Sequence, residues 1–176
     1  MADPPKETWL QWVALTTTIL AVCAAISSLK ASSYSTKVQI HTTKEANHWA
    51  YYQSKSMKQH NYRLARDILT YASLLQNPSP KVEQFLTARI KAYDKEINRY
   101  NQDKKQVKIE AENFIKEQDI LKRHNGAFAL AVMLLQIAIM MSAVGALIKK
   151  KSLWFAGLAL SLVGLVYMGN GFFLWF

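Results

Sequence analysis

Hydrophobic and polar positions are segregated along this chain into long blocks. Trp9 to Leu29 contains no charged residue, nor does Ala127 to Ile148, nor Leu153 to Phe176. A charge-free run of about 20 residues is long enough to cross about 30 Å of hydrocarbon as a helix. The pattern predicts transmembrane helices over 9–29, 127–148 and 153–176. A tail over 1–8 precedes the first, and a basic turn over 149–152 joins the last two.

The middle, 30–126, has a different composition. It holds 18 of the 22 Lys and Arg and 10 of the 12 Asp and Glu, a balance of +8. Gly126 is its one glycine and Pro78 and Pro80 are its two prolines. So long a charged stretch with so few breakers reads as helix. "QNPSP", Gln76 to Pro80, is its strong turn signal, because proline removes a backbone donor and restricts the residue before it. The middle is then an antiparallel hairpin with two arms of about 65–70 Å each.

The second arm carries a seam with alternating steps of four and three: Leu86, Ile90, Tyr93, Ile97, Tyr100, Lys104, Val107, Ala111, Phe114, Gln118 and Leu121. That repeat marks a coiled-coil face. On the first arm the matching positions are Ala46, Ala50, Gln53, Met57, His60, Leu64, Ile68, Tyr71 and Leu75, and folding about Pro78 would place Gln53 near Lys104. A second stripe, Tyr51, Lys55, Lys58, Tyr62, Arg66 and Leu69, would then face outward, with Trp49 flanking the seam. The other arm adds Ile109 and Ile120 off its seam. An outward face this rich in apolar and aromatic groups points to contacts between copies. Trp49, Tyr51, Tyr62, Leu69, Ile109 and Ile120 are the expected oligomer interface.

Within the spans, small residues recur at helix-packing spacing: Ala21, Ala25 and Ser28 in the first, Gly157, Ser161 and Gly164 in the third. Small side chains let helix backbones approach closely. Gln136 and Asn170 are the notable polar residues of the later spans, expected to hydrogen bond between helices. No ionisable Asp, Glu, Lys, Arg or His lies within a span, which argues against a proton relay or ion-coupled transporter. "LIKKKSLW", Leu147 to Trp154, concentrates three lysines in a short turn. By the positive-inside rule that turn and the N-terminus are cytoplasmic, while 30–126 and the C-terminus lie on the other, periplasmic side. Lys30, Lys37, Lys116, Lys122 and Arg123 oppose this, but loops longer than about 60 residues obey the rule poorly.

Net charge of +10 would suggest nucleic acid in a soluble protein. In an anchored hairpin with interspersed acids, the Tyr51–Tyr52 pair is a poor single-strand platform, and no nucleic-acid partner is expected. Lys55, Lys58, Arg63 and Arg66 could instead meet anionic lipid or a polyanionic envelope polymer. His41, Glu45 and His48 share a helix face, but the histidines are seven apart and no fourth ligand is apparent, so a solvated face is expected there rather than a metal. The lone Cys23 can form no disulfide within the chain. "LAVC" faintly imitates a lipoprotein cleavage site, but "MADPPKET" lacks a basic n-region, so the first segment reads as a permanent anchor. No Gly-rich phosphate loop or catalytic signature occurs, and no cofactor is expected.

Five segments together resemble an uncharacterised family of bacterial membrane proteins, the domain of unknown function 4337: "WVALTTTILAVCAAISSLK", "ANHWAYYQSKSMKQH", "EINRYNQDKKQVKIEAE", "LLQIAIMMSAVGAL" and "KKKSLWFAGLALSLVGL". They occur in family order over nearly the whole chain. The resemblance implies an inner-membrane protein with this three-span plan and brings no activity or site residue.

The expected fold is therefore an all-α membrane protein: three transmembrane helices and a long extramembrane, antiparallel, coiled-coil-like helical hairpin. The expected role is a non-enzymatic homo-oligomeric scaffold. A channel or passive conduit lined by Thr16 to Thr18, Gln136 or Asn170 is the alternative, followed by an accessory subunit of a larger complex.

Overall fold

The computed structural model describes residues 8–75 and 78–176, the side chain of Leu75 excepted. The tail expected over 1–8 therefore lies outside the described residues up to Glu7, as do Gln76 and Asn77 of the expected turn. Three helices account for most of the described residues: α1 (Thr8–Leu75), α2 (Pro80–Leu147) and α3 (Lys151–Phe173). Each contains a segment long and apolar enough to cross a membrane.

The change from apolar to charged sequence near residue 30 does not interrupt α1, because helical hydrogen bonds close within the segment whatever the surroundings. No Gly or Pro occurs between Thr8 and Leu75. α2 starts where proline is best tolerated: Val82 N and Glu83 N donate to Ser79 O at 2.9 and 3.0 Å, which makes Ser79 the cap and Pro80 the first helical residue. α2 and α3 are joined tightly. Lys149 takes a left-handed φ of 54° while Lys150 N donates to Gly145 O at 2.9 Å.

The chain divides into two compact units, residues 1–39 with 118–176, and residues 40–117. The division falls about ten residues beyond the change in hydropathy on each arm, because side-chain packing sets it.

In the first unit all three helices contribute a narrow buried stripe. Val13, Leu20, Ala24 and Ser27 supply it from α1, and Phe128, Ala131, Leu135, Ala138 and Ser142 from α2. Gly157, Ser161 and Gly164 supply it from α3. The α1 stripe is one residue out of phase with the expected Ala21, Ala25 and Ser28, which are exposed. Small or apolar residues fill both sets of positions, so composition alone does not choose between them. Gln136 is likewise exposed. Asn170 is buried but binds its own chain terminus: its Nδ2 donates to Phe176 O at 3.2 Å, and Phe176 N donates to its Oδ1 at 3.1 Å.

At Gly157 α3 packs directly on the backbone of α2. A Cβ there would stand 2.8 Å from both Ala138 O and Ser142 Oγ. The backbone oxygen cannot move aside without moving α2. Gly157→Leu is expected to cost about 1–3 kcal/mol. Gly126→Ala meets nothing within 4 Å and should gain a fraction of a kcal/mol, roughly 0.5–1, by restoring helix propensity. Thermal unfolding of the detergent-solubilised protein, followed by tryptophan fluorescence, separates the two.

Candidate functional site: the hairpin faces

In the second unit the two arms meet through a ladder of side chains that sets histidines and a lysine of α1 against acids of α2. His41 Nδ1 lies 3.1 Å from Glu117 Oε2, His48 Nδ1 lies 3.3 Å from Glu110 Oε2, and Lys55 Nζ lies 2.7 Å from Asp103 Oδ2. Each step of seven up α1 is a step of seven down α2, which is what an antiparallel pair with a heptad repeat requires. Nearer the turn, Arg66 Nη1 reaches Asp94 Oδ1 at 3.2 Å.

The two histidine rungs have ion-pair distances, but their Nδ1 atoms are off the line of a good hydrogen bond. Both rings instead pack on Phe114, with centroids at 5.7 and 5.2 Å. The lysine rung is fully formed. Asp103 accepts its hydrogen bond and, with the Tyr51 hydroxyl, holds the ammonium above the ordinary lysine range, so this rung stays charged at any physiological pH. Partly exposed pairs of this kind contribute about 0.2–1 kcal/mol each. They also favour the antiparallel alignment in which Lys55 meets Asp103 and Arg66 meets Asp94.

Beneath the ladder lies the hairpin core. α2 presents buried Ile97, Tyr100, Val107 and Ala111. Leu86, Ile90, Tyr93, Lys104 and Phe114 are half-buried on the same side. α1 answers with long amphipathic side chains whose stems cover that surface while their heads find partners. Gln59 is 2% exposed and its Nε2 donates to Ile97 O at 3.0 Å. Tyr62 packs on Tyr93 and Tyr100, with centroids at 5.6 and 5.7 Å. Lys104 does not meet Gln53; its ammonium donates to Ser56 Oγ at 3.4 Å and lies 5.4 Å from the Tyr52 ring.

The first arm thus turns the opposite face inward from the one its apolar residues suggest. Ala46, Ala50, Gln53, Met57, His60, Leu64, Ile68 and Tyr71, expected in the seam, are exposed. Tyr62, expected at an oligomer interface, lies inside the hairpin, and Leu69 is half-buried. Trp49 is half-buried against Tyr52 of its own helix, 5.7 Å between centroids. Tyr51, Ile109 and Ile120 remain exposed. The physical reason is partner choice. The acids Asp94, Asp103, Glu110 and Glu117 flank the α2 seam, and the polar face of α1 brings Arg66, Lys55, His48 and His41 opposite them. That signal is present in the sequence as matched seven-residue spacings: His41, His48 and Lys55 on α1 and Glu117, Glu110 and Asp103 on α2.

Lys55 and Arg66, two of the four cations expected to meet a polyanion, are therefore engaged within the hairpin, whereas Lys58 and Arg63 are exposed. A recess of about 240 Å³ opens beside the second rung, lined by His48, Glu110, Asn113, Phe114 and Glu117. No cluster of three or more potential metal ligands occurs among the described residues.

Exposed apolar side chains occur on both arms of the hairpin. On α1, Met57, Leu64, Ile68 and Tyr71 are 69%, 54%, 59% and 65% exposed. On α2, Ile109 and Ile120, three turns apart, are 53% and 55% exposed.

A family profile described as a domain of unknown function (DUF4337) matches residues 9–174. No curated protein and no solved structure matches the chain.

Proposed function

The chain belongs to the DUF4337 family, and from that premise we propose that it is a non-enzymatic membrane scaffold whose hairpin units associate side by side. The observation that carries this reading is the exposed apolar stripe of α1, with Ile109 and Ile120 exposed on α2, in an otherwise charged hairpin. A solvated hairpin keeps its outer faces polar, and contiguous exposed apolar surface marks a docking face.

Membrane anchoring is supported by the two ends of the first unit. At one end Trp9 packs on Trp154 at 6.5 Å, Lys151 stands 5.8 Å from the Trp9 ring, and Trp154 Nε1 donates to Thr16 Oγ1 at 3.2 Å. At the other, Tyr34 stacks on His124 at 4.7 Å and Lys30 lies 5.7 Å from the Phe172 ring. Trp9 and Tyr34 are separated by about 37 Å of helix at 1.5 Å per residue. That spacing suits aromatic belts at the two interfaces of a bilayer. In this reading the protein sits in a bacterial inner membrane with the 149–152 turn and the N-terminus cytoplasmic and 30–126 and the C-terminus periplasmic.

The hydroxyls of Thr16, Thr17 and Thr18 donate to carbonyls of their own helix. That supports a packing role for them over lining a conduit. The test is the mass of the detergent-extracted particle, corrected for bound detergent. A single closed multiple of the 20.0 kDa chain is expected, and a monomer overturns the proposal.

A further inference from the structure

Resting on that reading, we propose a specific interface: the exposed stripe of α1 is a coiled-coil seam that pairs, parallel and in register, with the same stripe of a second copy. Ala46, Ala50, Met57, Leu64, Ile68 and Tyr71 all fall within an arc of about 60° at 100° per residue. The inward-facing residues His48, Gln59 and Arg66 lie on the far side of the same helix. α1 therefore has two seams. One is polar and occupied by α2. The other is apolar, follows the four-and-three spacing that matches a like helix, and has nothing on it in the described chain.

Three observations select a second copy as the occupant. First, a stripe with heptad spacing interdigitates with another helix of the same spacing, and a symmetric pair uses one surface twice. Second, the seam itself carries no Lys, Arg, Asp or Glu, so like-with-like pairing opposes no fixed charges; Gln53 and His60 are its polar members and would help set the register. Third, the area suffices. Four large side chains exposed by more than half present roughly 500 Å² per copy and roughly 1,000 Å² across a pair, which reaches the threshold of a specific interface. Confinement in one bilayer raises the effective concentration of such a pair. It also gives every copy the same orientation, which makes the pairing parallel.

A parallel, in-register seam places residue 64 against residue 64 of the other copy, close enough for a disulfide. The test uses the full-length chain with Cys23→Ser, in native membranes under mild oxidation, with single substitutions Leu64→Cys, Ile68→Cys or Tyr51→Cys. All three sites are exposed or off the hairpin core, so the fold tolerates the change. Leu64→Cys and Ile68→Cys are expected to give a band of twice the chain mass, and Tyr51→Cys at least tenfold less. Cross-linking only when Leu64→Cys chains are mixed with Met57→Cys chains would mean an antiparallel pair and overturn the proposal. So would absence of the Leu64→Cys band in a particle whose mass is still a multiple of the chain; the scaffold would stand and another face would hold it. A monomeric particle without the band would overturn both.

Discussion

Phe128→Ala is expected to cost the first unit about 3–5 kcal/mol, a fall in Tm of roughly 10 °C or more. The ring is fully buried at the start of the apolar part of α2. It stacks on Tyr34 of α1 at 5.9 Å and meets Phe172 of α3 edge-on at 4.9 Å, so one side chain joins all three helices. It also lies directly on the bare backbone of Gly171, where a Cβ would stand 2.9 Å from the ring. The space left by alanine cannot close easily. His124 Nδ1 is held 2.8 Å from Gly171 O, and Tyr34 stacks on that same imidazole. Gly171→Ala should be destabilising in the native chain for the complementary reason, overpacking. In Phe128→Leu chains the added methyl meets a smaller neighbour, so Gly171→Ala should cost less there. Such non-additivity is the signature of direct contact. Thermal melts of these variants and the native protein in detergent check it; a loss under about 1 kcal/mol for Phe128→Ala would show that the ring does not join the three helices.

Tyr62→Ala should destabilise the hairpin by about 2–3 kcal/mol, somewhat below the value for a fully buried aromatic because Tyr62 is half-buried. The loss follows from its contacts with Tyr93 and Tyr100. Ring pairs add about 0.5–1.5 kcal/mol beyond the area they cover. Particle mass should be unaffected, since the side chain faces its own α2. Tyr51→Ala, one exposed aromatic for comparison, should shift stability by less than about 0.5 kcal/mol. Hydrogen exchange of the 40–117 amides reports both. A Tyr62→Ala protein with native protection and a reduced particle mass would return Tyr62 to the surface between copies.

The contrast between Tyr62 and Leu64 shows how far pattern alone reaches. Both residues lie on a helix that could be read from its length and lack of breakers. Which of them faces α2 was not readable from hydrophobicity, because the apolar stripe and the inward stripe of α1 are different. The second arm was easier. Ile97, Tyr100, Val107 and Phe114 are at once its most apolar face and its inward face. The same holds in the first unit, where Gly157, Ser161 and Gly164 stand out as the small residues of α3, while Leu20, Ala24 and Ser27 had equally plausible neighbours at 21, 25 and 28.

By itself, then, the sequence determined that this protein is all helix, where two of its helices turn, and which three segments are apolar enough for a bilayer. Those properties are local: hydrogen bonds within a helix, prolines at a turn, and runs of uncharged side chains. Tertiary structure decided the rotation of α1 about its own axis. That choice depends on what stands opposite, and here the face of α1 that carries Lys55 and Arg66 turns to Asp103 and Asp94 and leaves its apolar seam outside.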